Sequence, residues 1–247
     1  MQASEQSAVA YPAVRAAGNP LAIYVRQVFT IAAKDLRSEL RTKEAINASF
    51  AFSMVILVLF SFAFDPSAEE IQTFSGGLLW LVYSFASALV LNRSFARELQ
   101  NDCLDALLAA PLPASALFFG KAFANYALLL AVEFVCLPVF GLFYGVQWTP
   151  QFWALALVLI LGTWALTVIG TIFSALTVNL RLRELMLPTL VYPLLIPALM
   201  SAMTLTTDLL SGFRLGPDNM LWIKLLVAFD VVFTAVAVGM IDTVLVG

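Results

Sequence analysis

Two acids stand inside apolar stretches of this sequence, Glu133 and Asp230. Carboxyls in such places can bind cations, pass protons or hold helices together in lipid. Glu133 lies about eleven residues before the end of one apolar run, and Asp230 about nine after the start of another, so as helix both reach ~14–17 Å into a bilayer. No Lys or Arg lies at comparable depth within the runs. A charged acid there costs at least ~2.5–3.5 kcal/mol. Both are therefore expected to turn inward, either protonated or hydrogen-bonded to Ser, Thr, Tyr or Trp. Structural glue is the plainer reading, and a polar lining at an interface the sharper one.

Other chemistry is absent from the sequence. It has no His, which removes imidazole catalysis and histidine ligation of metals or haem. Two Cys make no disulfide framework: Cys103 falls in a charged loop and Cys136 in an apolar run. No Gly-rich loop ending in Lys-Ser/Thr is present to cradle a nucleotide phosphate. No catalytic residue and no metal site is expected, and the chain reads as non-enzymatic; if it works by ATP, the nucleotide site is on another polypeptide.

The elements that must position these residues follow from composition. Of 247 residues, 62% are hydrophobic and 12% charged; mean hydropathy is +0.93. Soluble domains are about half apolar and about a quarter charged, so a soluble enzyme and a nucleic-acid binder are excluded, the latter also by a net charge of -3 with no basic patch. Six apolar runs are long enough to cross a bilayer as helix: 46–64, 74–91, 115–144, 152–178, 186–206 and 221–246. The first two are short and should stand upright; the third and fourth are long and should tilt or break. Uninterrupted apolar runs rule against a membrane barrel, which alternates. The fold class is an all-α polytopic membrane protein.

Loop charges give an orientation. Arg15, Arg26, Lys34, Arg37, Arg41 and Lys43 precede the first span; Arg93, Arg97 and Lys121 fall in the second loop, and Arg181 and Arg183 in the fourth. Arg214 and Lys224 lie on the other side. Both termini are thus expected in the cytoplasm. Residues 1–20, polar and closing on Gly18-Asn19-Pro20, read as a disordered cytoplasmic tail, and 21–247 as one transmembrane domain.

Two cytoplasmic stretches look amphipathic. Over 21–43, Val25, Val28, Phe29, Ala32, Leu36 and Leu40 recur at helical spacing, with Arg26, Lys34, Asp35, Arg37 and Arg41 opposite. Such a helix lies in the membrane interface, as a simple anchor or as a mechanical element. In the segment 92–113, Phe95, Leu99, Cys103 and Leu107 form an i, i+4 stripe joined by Leu104 and Leu108, until Pro111 and Pro113 stop the helix. That stripe calls for a partner surface or for lipid.

Further along, Thr163, Thr167, Thr171 and Ala175, flanked by Gly162 and Gly170, put small residues on one face of the fourth span, for close packing or a transport path. In the fifth, Pro193 and Pro197 should kink or interrupt the helix, as a bendable gate or a static bend; Pro188 fits a first turn.

Phe95, Arg97-Glu98, Leu104-Asp105, Leu107-Leu108 and Pro111 resemble the loop signature of type-2 ABC exporter permeases, although Asp102-Cys103 stands where that pattern often has Gly-Thr. Gly77-Leu-Leu-Trp80, Leu99-Gln-Asn-Asp102, Leu104, Leu112-Pro113 and Lys121 resemble one branch, the cytochrome c maturation permease family CcmB (haem exporter protein B). Lys34-Asp-Leu-Arg37, Leu187-Pro188, Pro193-Leu and Ile196-Pro197 extend the likeness over about 25–245.

That resemblance implies a permease homodimer in the bacterial inner membrane. It would sit on two CcmA-like ABC ATPase subunits that hold the ATP. A CcmC-like haem-handling membrane partner, a small CcmD-like membrane subunit and a CcmE-like periplasmic haem chaperone complete the assembly. ATP hydrolysis would drive haem export or release of the loaded chaperone. Phe95, Arg97, Glu98, Leu99, Leu104, Asp105, Leu107 and Leu108 would then be the ATPase-coupling residues, with the apolar stripe in a groove of the ATPase and Arg97, Glu98 and Asp105 at its rim. No cofactor is expected on this chain itself, since haem ligation would fall on residues such as Cys136 or Met203, whose ordinary role in an apolar run is packing. Competing readings are an ion- or proton-coupled secondary carrier, which would want inverted repeats, and a non-transporting scaffold for a haem-handling complex.

Overall fold

The computed structural model describes residues 19–63, 69–95, 112–177 and 183–246. Among them are seven α-helices and no strand. The first, α1 (Pro20–Thr42), begins where the Asn19 side chain accepts the Leu21 N–H at 3.1 Å and Pro20 takes a first-turn position that needs no donor. It stops at Lys43, which adopts φ 56°, and α2 (Glu44–Ala63) starts at once. Glu39 closes this corner: its Oε1 accepts from the backbone N–H of Ala45 at 2.6 Å and Ile46 at 3.2 Å, satisfying two orphan donors at the α2 N-terminus.

The chain continues through α3 (Glu69–Leu91), α4 (Ala114–Tyr144), α5 (Phe152–Thr177), α6 (Arg183–Leu210), a 3₁₀ turn (Pro217–Asn219) and α7 (Met220–Val246). The six helices α2 to α7 are long and apolar enough to cross a membrane, so the protein is an all-α, multi-pass membrane protein. Helices α3 and α6 extend beyond the expected runs because hydropathy marks the part in hydrocarbon, whereas helical hydrogen bonding continues past that boundary. The 31 residues of α4 form one helix through Pro138 and end at Gly145, whose φ of 63° suits glycine.

The core is built on α3. Trp80 is fully buried; its ring fills the notch left by Gly162 of α5, where any side chain would collide with it, and its Nε1 donates to Thr206 Oγ1 of α6 at 2.9 Å. Gly76 of α3 lies against the α6 backbone at Met203, and Gly170 of α5 against Leu91. Thr163, Thr167 and Thr171 are all buried on this α5 face, with Thr167 Oγ1 donating to the Thr163 carbonyl at 2.7 Å. The small-residue stripe thus serves close helix approach. Tyrosines tie further pairs by donating to backbone carbonyls: Tyr144 to Leu57 at 2.7 Å and Tyr192 to Ser84 at 2.6 Å.

Of the two alternatives for Pro193 and Pro197, a kink or an interruption, no interruption forms: α6 is one helix with Pro188, Pro193 and Pro197 inside it. Packing against α3, α5 and α7 holds it together where lost backbone hydrogen bonds would otherwise break it. Helix α1 divides the apolar residues read in the sequence between two faces. Val28, Ile31 and Glu39 are buried, with Ile31 seated against Gly120 of α4, while Val25, Phe29 and Leu40 are exposed. The largest apolar arc of α1 is its outer surface, suited to lipid.

Candidate functional site

Of the eight proposed coupling residues, Phe95 alone lies in the described part; Arg97, Glu98, Leu99, Leu104, Asp105, Leu107 and Leu108 lie outside the described residues. The segment 92–113 is described at its two roots. After α3 the chain turns through Arg93 and Ser94, whose N–H groups donate to the carbonyls of Val90 and Leu91 at 3.2 and 3.1 Å. The turn delivers Phe95 into a pocket with Ile31 of α1, Leu117 of α4 and Ala175 of α5, where it is fully buried.

Lys121 of α4 is the centre of this root. Its side chain is 0% exposed, its Nζ donates to the Ser94 carbonyl at 2.7 Å and pairs with Asp35 Oδ2 of α1 at 3.2 Å, and it stands 4.7 Å from the centre of the Phe95 ring. Asn125, one turn further along α4, donates to Ser94 Oγ at 2.9 Å and to Thr171 Oγ1 of α5 at 3.1 Å. Outside the cluster, Arg93 bridges to Glu44 at the start of α2 at 2.7 Å. That exposed pair contributes ~0–1 kcal/mol, whereas a hydrogen bond to a buried ammonium contributes about 1.5–3 kcal/mol and a desolvated cation over a ring about 2 kcal/mol. The cluster fastens the first residues of segment 92–113 to α1, α4 and α5 together.

The two intramembrane acids have different surroundings. Glu133 of α4 is buried, and both its carboxyl oxygens lie within reach of Thr163 Oγ1 of α5, at 2.6 and 2.7 Å; the hydroxyl donates to them. Tyr83 of α3 donates to the Glu133 backbone carbonyl at 3.3 Å, so three helices meet at that level. Asp230 of α7 is also buried, yet neither carboxyl oxygen has a hydrogen-bond partner among the described residues. Nearby, the Trp164 indole of α5 donates to Thr234 Oγ1 of α7 at 3.1 Å.

Sequence reasoning placed Lys121 among the loop bases and Asp35 on a solvated face, and it passed over Glu39, Ser94 and Asn125. A signal was present: Lys121 follows a run of seven helical residues from Ala114 that is otherwise apolar or small, and two acids, Asp35 and Glu39, sit among the bases of α1. Pairing Lys121 with Asp35 needed the fold. Cys136 is buried in the core and Met203 packs against it.

A six-span helical bundle, with an amphipathic helix ahead of it and an ionic joint holding one inter-span segment, defines a multi-pass membrane protein. The chain belongs to the CcmB family, whose model ("CcmB protein") matches residues 26–243. It is similar to Heme exporter protein B of Rhodobacter capsulatus, 34% identical over 166 residues, which cover 67% of this chain and 76% of the relative. The protein of the same name from Paracoccus denitrificans is 32% identical with the same coverage. That from Pseudomonas aeruginosa is 28% identical over 209 residues, 84% of this chain and 92% of the relative.

Proposed function

We propose that this chain is the permease subunit of an ABC complex for cytochrome c maturation. It couples ATP hydrolysis on a partner ATPase to haem export or to release of a haem-loaded periplasmic chaperone. The observation that carries the reading is the match to the CcmB family over nearly the whole membrane domain, 26–243. The root of segment 92–113 supports it from the physical side. A segment that is to transmit force from a soluble ATPase needs a stiff attachment to the spans, and Phe95, clamped by Lys121, Asp35 and α5, has one.

In this reading the chain works as a homodimer in the bacterial inner membrane with both termini cytoplasmic, and it is not itself an enzyme. The ATP sits on a CcmA-like subunit, reached by Arg97, Glu98, Leu99, Leu104, Asp105, Leu107 and Leu108. Haem is the cargo of the assembly, held by CcmC-like, CcmD-like and CcmE-like partners. The absence of His from this sequence favours ligands supplied by those partners. Glu133 acts as glue between α4 and α5, its oxygens held by Thr163.

The test is copurification. The tagged chain, solubilised from membranes in which the neighbouring subunits are co-expressed, should carry an ATPase with it and raise that ATPase's turnover. An isolated chain that binds no ATPase and instead carries ions down a gradient in vesicles would favour a secondary carrier.

A further inference from the structure

Asp230 presents an unmet requirement. It lies about 15 Å along α7 from Met220, at the depth of the bilayer interior. It is 7% exposed, and both carboxyl oxygens lack a partner among the described residues. Buried polar atoms without partners are uncommon, because each forfeits the hydrogen bonds it had in water. Acyl chains cannot supply them.

The residue also borders open space. With Trp164, Val231, Thr234, Ala235 and Val238 it lines a groove of about 570 Å³ between α5 and α7. One turn beyond Ala235 comes Gly239, and a Cβ built there meets nothing within 4 Å. Ala235 and Gly239 therefore leave the backbone of α7 bare on one outer face, the arrangement that lets another membrane helix approach closely. Small residues alone would be unremarkable; here they adjoin a groove with an unpartnered carboxyl in its wall.

We propose that this face of α7 docks a membrane-spanning helix of a different subunit, one that inserts a long N–H donor (Arg, Lys, His or Trp) into the groove to meet Asp230. Charge complementarity selects the occupant. A second copy presenting the same face would bring Asp230 towards Asp230, and the exposed residues of this face, Val231, Val232, Ala235, Val236, Gly239 and Met240, carry no side-chain donor. Its bordering hydroxyl, Thr234, accepts from the Trp164 indole and sits half-buried in the groove wall, too short to reach the carboxyl of a second copy. The carboxyl is set back in the groove wall, which calls for a side chain long enough to reach in. The inference rests on the reading of this chain as one subunit of a larger membrane complex and names one of that complex's contacts.

The test uses the intact complex with a photoreactive phenylalanine analogue at position 235. Illumination should join this chain to a membrane segment of a subunit other than the ATPase, and peptide mapping should find a long N–H donor in that segment. Gly239→Leu adds bulk only to open space, so the chain still folds, but it blocks approach; the crosslink should fall roughly tenfold, the equivalent of one lost interhelical hydrogen bond with its packing. Asp230→Leu should do the same, and Asp230→Asn, which keeps an acceptor, should retain more. Crosslinks to lipid or to a second copy alone, or a full yield with Gly239→Leu, would overturn the proposal. ATPase copurification, scored in the same samples, should be unchanged in every variant; its failure with the unaltered chain would count against the permease reading, while the crosslink map is still read independently.

Discussion

Lys121 stands over the ring of Phe95, its ammonium 4.7 Å from the ring centre, while the same ammonium bonds the carbonyl of Ser94 one residue earlier. A turn gripped at both its backbone and its side chain transmits displacement instead of absorbing it. Lys121→Met keeps the length of the side chain and its burial but removes the charge. It should cost about 1.5–3 kcal/mol, the contribution of a hydrogen bond to a charged group. Thermal melting in detergent reads that loss, and stimulated ATP turnover should fall further than the stability does. Combining it with Asp35→Asn should cost less than the sum of the two single changes, since both remove the same pair; strict additivity would show the pair to be uncoupled.

Glu133 and Thr163 make a second pair across α4 and α5. Glu133→Gln preserves shape and an acceptor for the hydroxyl, so the amide variant should assemble and support cytochrome c maturation. Thr163→Val is nearly isosteric but strips the carboxyl of its donor and should cost ~1–3 kcal/mol. Loss of maturation by a stable, fully assembled Gln variant would instead place the acid's charge in the working cycle.

The apolar stripe beyond Phe95 can be probed where it should be most intimate with the ATPase. Leu99→Asp and Leu107→Asp each forgo ~1.5–3 kcal/mol of burial. Pull-down of the ATPase should weaken for both, while protease mapping of the spans in membranes stays unchanged. Normal recovery of the ATPase with both variants would dissociate the stripe from docking.

Close approach of α3 and α5 depends on a missing side chain. Gly162→Leu would drive atoms into the Trp80 ring and pull its indole from Thr206; overpacking of this kind costs about 1–3 kcal/mol or more. Gly77→Ala, at a site where a Cβ meets nothing within 4 Å, serves as the control and should leave melting unchanged. Equal behaviour of the two variants would mean that the Trp80 notch contributes little.

Much of the framework was legible in the residues, for a physical reason. Hydrocarbon demands long apolar helices, so the runs around Met54, Trp80, Leu129, Leu166, Leu195 and Leu226 are found within a few residues of their helices. Thr163, Thr167 and Thr171 recur at helical spacing beside Gly162 and Gly170, and the seam they form needs nothing but that spacing. The pairing of Lys121 with Asp35 could not be read this way, because it joins positions 86 residues apart and neither residue type announces its partner. The burial of Val28 and Ile31 of α1 was not legible, because an interfacial helix offers its apolar residues to lipid and to protein alike. Continuity of α6 through Pro193 and Pro197 likewise depends on neighbours that sequence periodicity does not reveal.

The order of the cluster's parts along the chain has a consequence for biosynthesis. Asp35, Ser94 and Phe95 all precede Lys121, and chains emerge from the ribosome N-terminus first. When the third span leaves the insertion machinery, Asp35, Ser94 and Phe95 have already been made. The costly step of placing an ammonium within a protein core is thus deferred until its counter-charge can be waiting, and α4 can settle without an interval in which that charge is stranded. Shuffling the spans, as in a circular permutant that begins at α4, would reverse this order and expose the nascent helix to mislocation before α1 exists.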